Sequence, residues 1–313
     1  MKKYIYSLFL IVHVIAISGC FNKGIEHEDG FGNFDVSSDG KLIAFSWITN
    51  GQASLYIYDL KRNYVLKKIS SPSEASFLNP RFSADGKNVV FVSNEKNSIN
   101  SSIYVGNVIS GEIKKITDTN SIKTEAVFKS NGDSIIYCAA NEYGNNSIVA
   151  AKTARDFDIY SVSISSGLSK RYTSLNAYSL GSLNIDSAST IAFYVFAGDN
   201  GGIFKYNALD GKMSKRISSI NDTSDKAEDY SNPFFIDSNH LLYTVYNRMY
   251  IIDLRSQKTK SIYSFNSNIS NLRYSSTLQR IFFTDESSDG IIYSIDISGK
   301  EKHELKLMPR SSP

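Results

Sequence analysis

The sequence predicts an all-β chain made of six repeated units, each a four-stranded antiparallel sheet. Three observations predict it. A motif recurs: Asn79-Pro80-Arg81-Phe82-Ser83-Ala84-Asp85-Gly86-Lys87, then Asn88-Val89-Val90-Phe91, is echoed by Asn33 to Phe45 and by Phe128 to Tyr137. Weaker copies end at Phe193, Tyr243 and Phe283, so the closing aromatics Phe45, Phe91, Tyr137, Phe193, Tyr243 and Phe283 are 46, 46, 56, 50 and 40 residues apart. Each copy then repeats short β-branched and aromatic runs separated by Asp-Gly or Ser-Gly turns, with no capped helical period after the first twenty residues. Units of about 45 residues holding four strands have the size of propeller blades, so the expected fold is a six-bladed β-propeller of four-stranded antiparallel blades. A linear β-solenoid is the competing architecture, with coils that are usually shorter.

The elements follow in order. Lys2 and Lys3 precede an apolar run from Tyr4 to Ile17, too short to span a membrane comfortably, and Ile17-Ser18-Gly19-Cys20 follows. This ending resembles the lipobox of bacterial lipoproteins. The resemblance implies a signal peptide over 1–19, cleavage before Cys20 and lipidation of its thiol, which would anchor the chain to a membrane; an ordinary secretory signal with an incidental cysteine is the alternative. Residues 20–30 read as the lipidated terminus and a short linker, 31–308 as the propeller and 309–313 as a tail. Within a blade, the motif strand leads through its turn to a second strand. A third strand such as Leu55-Tyr56-Ile57-Tyr58 or Ile103-Tyr104-Val105 follows, then a turn such as Ser110-Gly111. The last strand carries basic residues, as in Lys67-Lys68-Ile69, Lys170-Arg171-Tyr172 and Lys215-Arg216-Ile217. A final strand is expected near Glu304 to Leu307.

Charge narrows the function. Loss of Lys2 and Lys3 leaves 32 basic against 31 acidic residues, a net charge of +1, which gives no basis for a nucleic-acid partner. Two cysteines, one of them Cys20, exclude a disulfide framework and leave Cys138 as a buried free thiol.

The motif Asn-Pro-x-Phe-Ser-x-Asp-Gly-Lys, then two apolar residues and Phe, then Ile-Tyr-Val, resembles the repeat of the TolB-type propellers over roughly residues 31 to 307. The resemblance implies a ring around a central channel. The protein for which the family is named carries an α/β domain before its propeller; about ten residues separate Cys20 from the first strand, so that domain is expected to be missing. The chain is expected to be a TolB-like lipoprotein distinct from TolB, with a partner of its own.

Chemical signals are sparse. His13 falls in the signal, and His27, His240 and His303 fall in different segments, so neither a three-histidine metal site nor another cofactor is expected. Oligogalacturonate lyases of related repeat type use such a site, and propeller peptidases need a Gly-x-Ser-x-Gly hydrolase elbow; neither is found. The Asp-Gly aspartates lack calcium-loop spacing and read as turn formers. The expected activity is therefore binding without catalysis, by a monomeric propeller that engages an envelope protein or peptide. In a Gram-negative source, Phe21 after the cysteine points to the outer membrane, facing the periplasm.

Two groups of residues are candidates for contact. In a propeller the blade-to-blade connections share one face with the loops between second and third strands. That face should carry Trp47 at the start of a loop, the third-blade insertion Asn141 to Asp156 with Tyr143, Arg155 and Asp156, and the acidic stretch Asp225, Glu228 and Asp229 before Tyr230. Aromatic residues beside charged loops suit a protein hot spot or the stacking of a sugar. The second group is a register: Asn33, Asn79, Glu125, Ser182, Asn232 and Asn271 each lie three residues before the first-strand aromatic or its equivalent, and should ring the channel mouth. They could hydrogen-bond an inserted peptide, or simply build the blade through side-chain-to-backbone bonds, which is the favoured role.

Overall fold

The computed structural model describes residues 30–145, 151–196, 201–221, 226–286 and 290–307. They form six antiparallel sheets, each built from consecutive strands. The first blade is β1 (Gly30–Val36), β2 (Leu42–Thr49), β3 (Gln52–Asp59) and β4 (Tyr64–Ile69); the second is β5 (Ser76–Phe82), β6 (Asn88–Asn94), β7 (Ser101–Asn107) and β8 (Ile113–Lys115). The third is β9 (Ile122–Phe128), β10 (Ser134–Asn145), β11 (Lys152–Ser163) and β12 (Ser169–Arg171), and the fourth is β13 (Ser179–Ile185), β14 (Thr190–Phe196) and β15 (Gly202–Asn207). The fifth is β16 (Ser231–Phe235), β17 (His240–Val245), β18 (Arg248–Asp253) and β19 (Thr259–Ser264); the sixth is β20 (Ile269–Ser275), β21 (Arg280–Asp285), β22 (Ile291–Asp296) and β23 (His303–Lys306). The first strands of neighbouring blades pack side by side, with β20 returning to β1, so the ring closes.

The repeat aromatics do one job six times. Phe45, Phe91, Tyr137, Phe193, Tyr243 and Phe283 are buried and stack on the residue paired with them across the next strand: Tyr56, Tyr104, Tyr160, Phe204, Tyr250 and Tyr293. Centroids are 5.3 to 6.2 Å apart and planes within 28°. Such cross-strand pairs add about 0.5–1.5 kcal/mol each beyond burial. The apolar cores lie between blades. Val127 and Ile136 of the third blade pack on Leu183 and Phe193 of the fourth, for example, and Phe34 and Phe45 of the first on Phe282 and Ile292 of the sixth.

The Asp-Gly turns behave as turn formers. Asp39 Oδ1 accepts from Ser37 Oγ (2.8 Å) and Lys41 N–H (3.1 Å), Asp85 repeats this on Ser83 and Lys87, and Gly40 and Gly86 both have φ of +68°. The fourth blade departs from expectation, since Lys215-Arg216-Ile217 adds no ladder strand. Ser214 is the reason: its Oγ accepts the Lys205 N–H (2.9 Å), replacing the carbonyl that a ladder would offer, and only scattered bonds such as Ile217 N–H to Ile203 O (2.8 Å) hold the segment.

The ring closes through side chains between its first and last blades. Trp47 lies within β2 against Phe31 and beside Gly290. Gly290, at φ +78°, has no room for a Cβ, which would fall 2.8 Å from Leu307 O and 2.9 Å from the Trp47 ring. Thr277 Oγ1 donates to Ser38 O (3.0 Å) across the same junction.

Candidate functional site: the channel and the hairpin face

The channel is built from one backbone irregularity repeated in every blade. The pairing of the first two strands shifts register once per blade, between Phe31 and Phe34, Leu78 and Arg81, Gly181 and Asn184, Ser231 and Phe234, Ser270 and Arg273, and opposite Cys138 and Ala139. The polar register sits at this bulge. Asn79, Ser182, Asn232 and Asn271 take φ of 51 to 55°, a left-handed conformation that asparagine tolerates better than most residues. Blade construction thereby accounts for Asn79, Asn232 and Asn271, while Asn33 does not take a positive φ. The six side chains do converge, around a small cavity inside the channel. They lie within the innermost strands, mostly at mid-length, rather than at the channel mouth, because the bulge that requires them is itself within the strand.

A polar tie spans each blade junction. Phe82 N–H donates to Asp35 Oδ2 (2.8 Å), and the Asn33 side chain donates to Asn79. Asn79 Nδ2 reaches Thr124 O (2.6 Å), and Glu125 accepts from Ser182 N–H (2.9 Å) and Leu183 N–H (2.8 Å). Phe235 N–H donates to Asn184 Oδ1 (2.7 Å), Asn232 Nδ2 to Ile269 O (3.2 Å), and Arg273 Nε lies 2.8 Å from Asp35 Oδ1.

Two positions on from the register, Arg81 and Arg273 also line this cavity. Arg81 crosses from the second blade, placing its guanidinium 5.9 Å from the Phe234 ring centre and donating Nη1 to Leu183 O (2.9 Å). Arg273 stands 5.8 Å from the Phe34 ring and 6.0 Å from the Phe234 ring. Both face the single carboxylate of Asp35, at 3.5 and 2.8 Å. Burial first, and the adjacent charge of Arg81 second, lower Arg273 to about 10 against the pull of Asp35 and Glu125. The free space here is about 30 Å³, room for water-sized occupants and far too little for a peptide strand or sugar ring. Sequence reasoning missed these two arginines, whose position carries Asp, Val, Asn and Phe in the other four blades.

The hairpin face gathers fewer of its candidates. The third-blade insertion is a β-hairpin extending β10 and β11, which pair in register from Ser134–Ser163 to Asn145–Lys152; residues 146–150 lie outside the described residues. Glu142 and Arg155 pair across it at 2.8 Å, and Asp156, within β11, takes a φ of 59°. With Asn176 and Tyr178 of the following connection they line an open cleft of about 390 Å³. Tyr178 exposes 42% of its surface at this cleft, whereas Tyr143, 37% exposed and next to Glu142 along β10, lies on the other face of the hairpin. Within this cleft wall, Asp156 Oδ1 and Arg155 Nε are buried atoms without hydrogen-bond partners among the described residues. Glu142 lies inside the predicted insertion, whereas sequence reasoning missed Asn176 and Tyr178; Tyr178 stands in a blade-to-blade connection on the predicted face, which was the available signal.

Other candidates fall elsewhere. Trp47 does not begin a loop. The strand runs on to Thr49, because Asn50-Gly51, both at positive φ, makes the tight turn, and the indole is half-buried in the closing junction. Tyr230 is not an exposed anchor: it is 1% exposed and packs on Tyr243 at 4.4 Å. Glu228 lies 3.7 Å from Arg216 and 3.8 Å from Lys226, Asp229 accepts from Tyr246 Oη (3.0 Å), and neither lines the cleft. Asp225, Cys20 and His27 lie outside the described residues. His240 bonds Asp237, and His303 opens β23 a blade away. Cys138 is fully buried, and burial raises its thiol well above the usual range. One buried cation was not anticipated: Lys123, 3% exposed, donates Nζ to Asp118 O (2.9 Å), Ser121 Oγ (3.0 Å) and Ser101 O (3.2 Å), pinning the connection between second and third blades.

Residues 34–146 match the family model described as the TolB beta propeller domain. No curated protein matches the chain in sequence. Among solved structures, TolB from Acinetobacter baumannii superposes with a TM-score of 0.62 at 16% identity over 90% of this chain, which spans 64% of that protein's length. An oligogalacturonate lyase from Vibrio parahaemolyticus gives 0.60 at 14% identity, covering 89% of this chain and 79% of the lyase. A chain of a nidogen/laminin complex gives 0.60 at 11%, covering 89% and 93%. At these identities the likeness is one of fold.

Proposed function

We propose that this TolB-type propeller is a lipid-anchored scaffold of the bacterial cell envelope, held by Cys20, that binds a segment of a partner protein in the cleft beneath its third-blade hairpin and catalyses no reaction. In a Gram-negative source it faces the periplasm from the outer membrane. The observation that carries the reading is the cleft itself: a blade extended beyond its siblings, a paired Glu142 and Arg155, and the exposed Tyr178 beside a hollow large enough for several side chains. The plugged channel supports the same reading, because it leaves the rim as the place where a macromolecule can be engaged. Tyrosine and arginine are the residues that most often dominate protein contacts.

A second reading, saccharide binding or processing, rests on Tyr178, which could stack on a sugar ring. Photo-crosslinking from position 178 in native envelopes, followed by mass spectrometry, separates the two. Recovery of one protein, lost in Arg155→Glu and kept in the distant Lys212→Ala, supports the scaffold. Recovery of no protein, with cleavage of a polysaccharide by the purified chain, overturns it.

A further inference from the structure

We infer that the outer edge of the second, third and fourth blades, on the face opposite the hairpin cleft, docks on an anionic lipid surface. Two independent observations point there. The first is apolar. Ile109, Leu168 and Leu209 are the three most exposed large apolar side chains among the described residues, at 77%, 76% and 73%. All three stand at one structural place, the turn that follows the third strand, in three consecutive blades. The turns are alike: the N–H groups of Gly111, Gly167 and Gly211 donate to Asn107 O, Ser163 O and Asn207 O, each at 2.9 Å, and the glycines have φ of 71 to 77°. The corresponding turns of the first and fifth blades carry Lys61-Arg62 and Arg255-Ser256, so the turn itself does not require an aliphatic residue. Because successive strands alternate in direction, these turns lie on the face opposite the blade-to-blade connections and the hairpin.

The second observation is charge. The near-neutral total conceals a local surplus: residues 107–117, 163–173 and 207–217, the turns and outer segments of these blades, hold seven basic residues against Glu112 and Asp210. A lysine stands beside each apolar turn. Lys67 of β4 packs against Gly111, Lys114 Nζ donates to Ile164 O (3.2 Å) in the third-blade turn, and Lys170 lies 5.5 Å over the Tyr172 ring, which stacks on Tyr206 beside Gly211. None of these three lysines has a carboxylate partner among the described residues. Lysines on an open sheet edge deter pairing with other edges. That accounts for the charges and leaves the aliphatic side chains beside the same segments standing in water without a reason. Apolar tips among lysines suit an anionic bilayer interface, where the aliphatic groups enter the headgroup boundary and the ammonium groups meet phosphates. Docked so, the ring turns its hairpin cleft away from the lipid. The surface does not rest on the anchor proposed above, and it is compatible with it: the ten residues from Cys20 to Gly30 reach up to about 33 Å, past the about 23 Å of a seven-residue strand.

The test is cosedimentation of residues 20–313 carrying Cys20→Ala, a chain that keeps every described residue and bears no acyl group, with vesicles of phosphatidylglycerol or of phosphatidylcholine. It should bind the first and not the second, and added salt should release it. An anionic surface favours each lysine by about fivefold, so Lys67→Ala, Lys114→Ala and Lys170→Ala together should weaken binding about a hundredfold. Lys258→Ala, Lys260→Ala and Lys300→Ala, on the fifth and sixth blades, should leave it unchanged. A fluorophore on Leu168→Cys should be quenched by brominated phosphatidylglycerol and one on Ser256→Cys should not; Cys138, being buried, stays unlabelled. Equal binding to both lipids, no binding to phosphatidylglycerol, or equal losses from the two lysine sets overturns the proposal. So does capture of soluble polyphosphate by a chain whose Leu168 label stays unquenched, which assigns the surface to an anionic polymer.

Discussion

Replacing Asp35 with asparagine isolates the charge that holds the centre of the ring. The side chain keeps its shape and an oxygen for the Phe82 N–H, which bonds at 2.8 Å, so that hydrogen bond survives. What disappears is the carboxylate facing Arg273 at 2.8 Å and Arg81 at 3.5 Å, leaving two buried cations against each other. Removing one partner of a buried ion pair costs about 3–5 kcal/mol. Asp35→Ala should cost about 1–3 kcal/mol more, because the Phe82 N–H then lacks an acceptor. Against a typical total of about 5–15 kcal/mol, the first change alone is severe. Trp47, the one tryptophan, sits in the junction between first and last blades, so its fluorescence during urea titration reports opening of that junction. The triple variant Asp35→Asn, Arg81→Met, Arg273→Met should regain at least half of the loss, since apolar groups of similar volume often replace buried ions without penalty. An Asp35→Asn protein within about 0.5 kcal/mol of wild type, well short of the buried-pair cost, would refute the reasoning, as would a triple variant as weak as the single.

Further outcomes are expected. Gly290→Ala should destabilise by about 1–3 kcal/mol, as overpacking does, and by clearly less in a Trp47→Ala background, measured as a double-mutant cycle in urea. Burial first lowers Lys123 to about 8, so from there to the ordinary lysine range the unfolded chain binds the extra proton. The stability of the wild type relative to Lys123→Met should therefore rise with pH across that window and level off above it; a pH-independent difference would count against this. Metabolic labelling with a palmitate analogue should mark the wild type and not Cys20→Ala; equal labelling of both removes the anchor from the proposed function.

Much of the fold was legible because its determinants are local and repeated. Phe45, Phe91 and their four equivalents mark every second strand, and Asp39-Gly40 and Asp85-Gly86 mark the turns that follow the first strands. The missing ladder strand in the fourth blade was not legible, since it depends on one serine hydroxyl competing for a backbone N–H. The site was read less well, for a physical reason. Exposure is a property of neighbours distant in sequence: Tyr230 looked like a surface aromatic beside acidic residues, yet Tyr243 thirteen residues later covers it. Trp47 was drawn toward a loop although Asn50-Gly51 already placed the turn beyond it. The polar register converges in the channel, at mid-strand and not at the mouth where the repeat pattern put it, while Arg81 and Arg273 occupy a position where only two of six blades carry arginine.

Because each described sheet is made from one continuous stretch, with no strand exchanged between the two ends, chain order and ring order are the same. A break at any blade-to-blade connection, with Gly30 and Leu307 joined instead by a suitable linker, would leave every sheet intact and merely relocate the junction, so the ring should tolerate circular permutation. Synthesis imposes the converse. The first blade emerges with Phe34, Phe45 and Trp47 uncovered on one flank, and the side chains that shield them, Phe282, Ile292 and Leu307, come from the last 32 residues of the chain. Until those arrive, the earliest blade carries an apolar flank with no partner, and it is the segment most dependent on chaperones or on rapid completion of the chain.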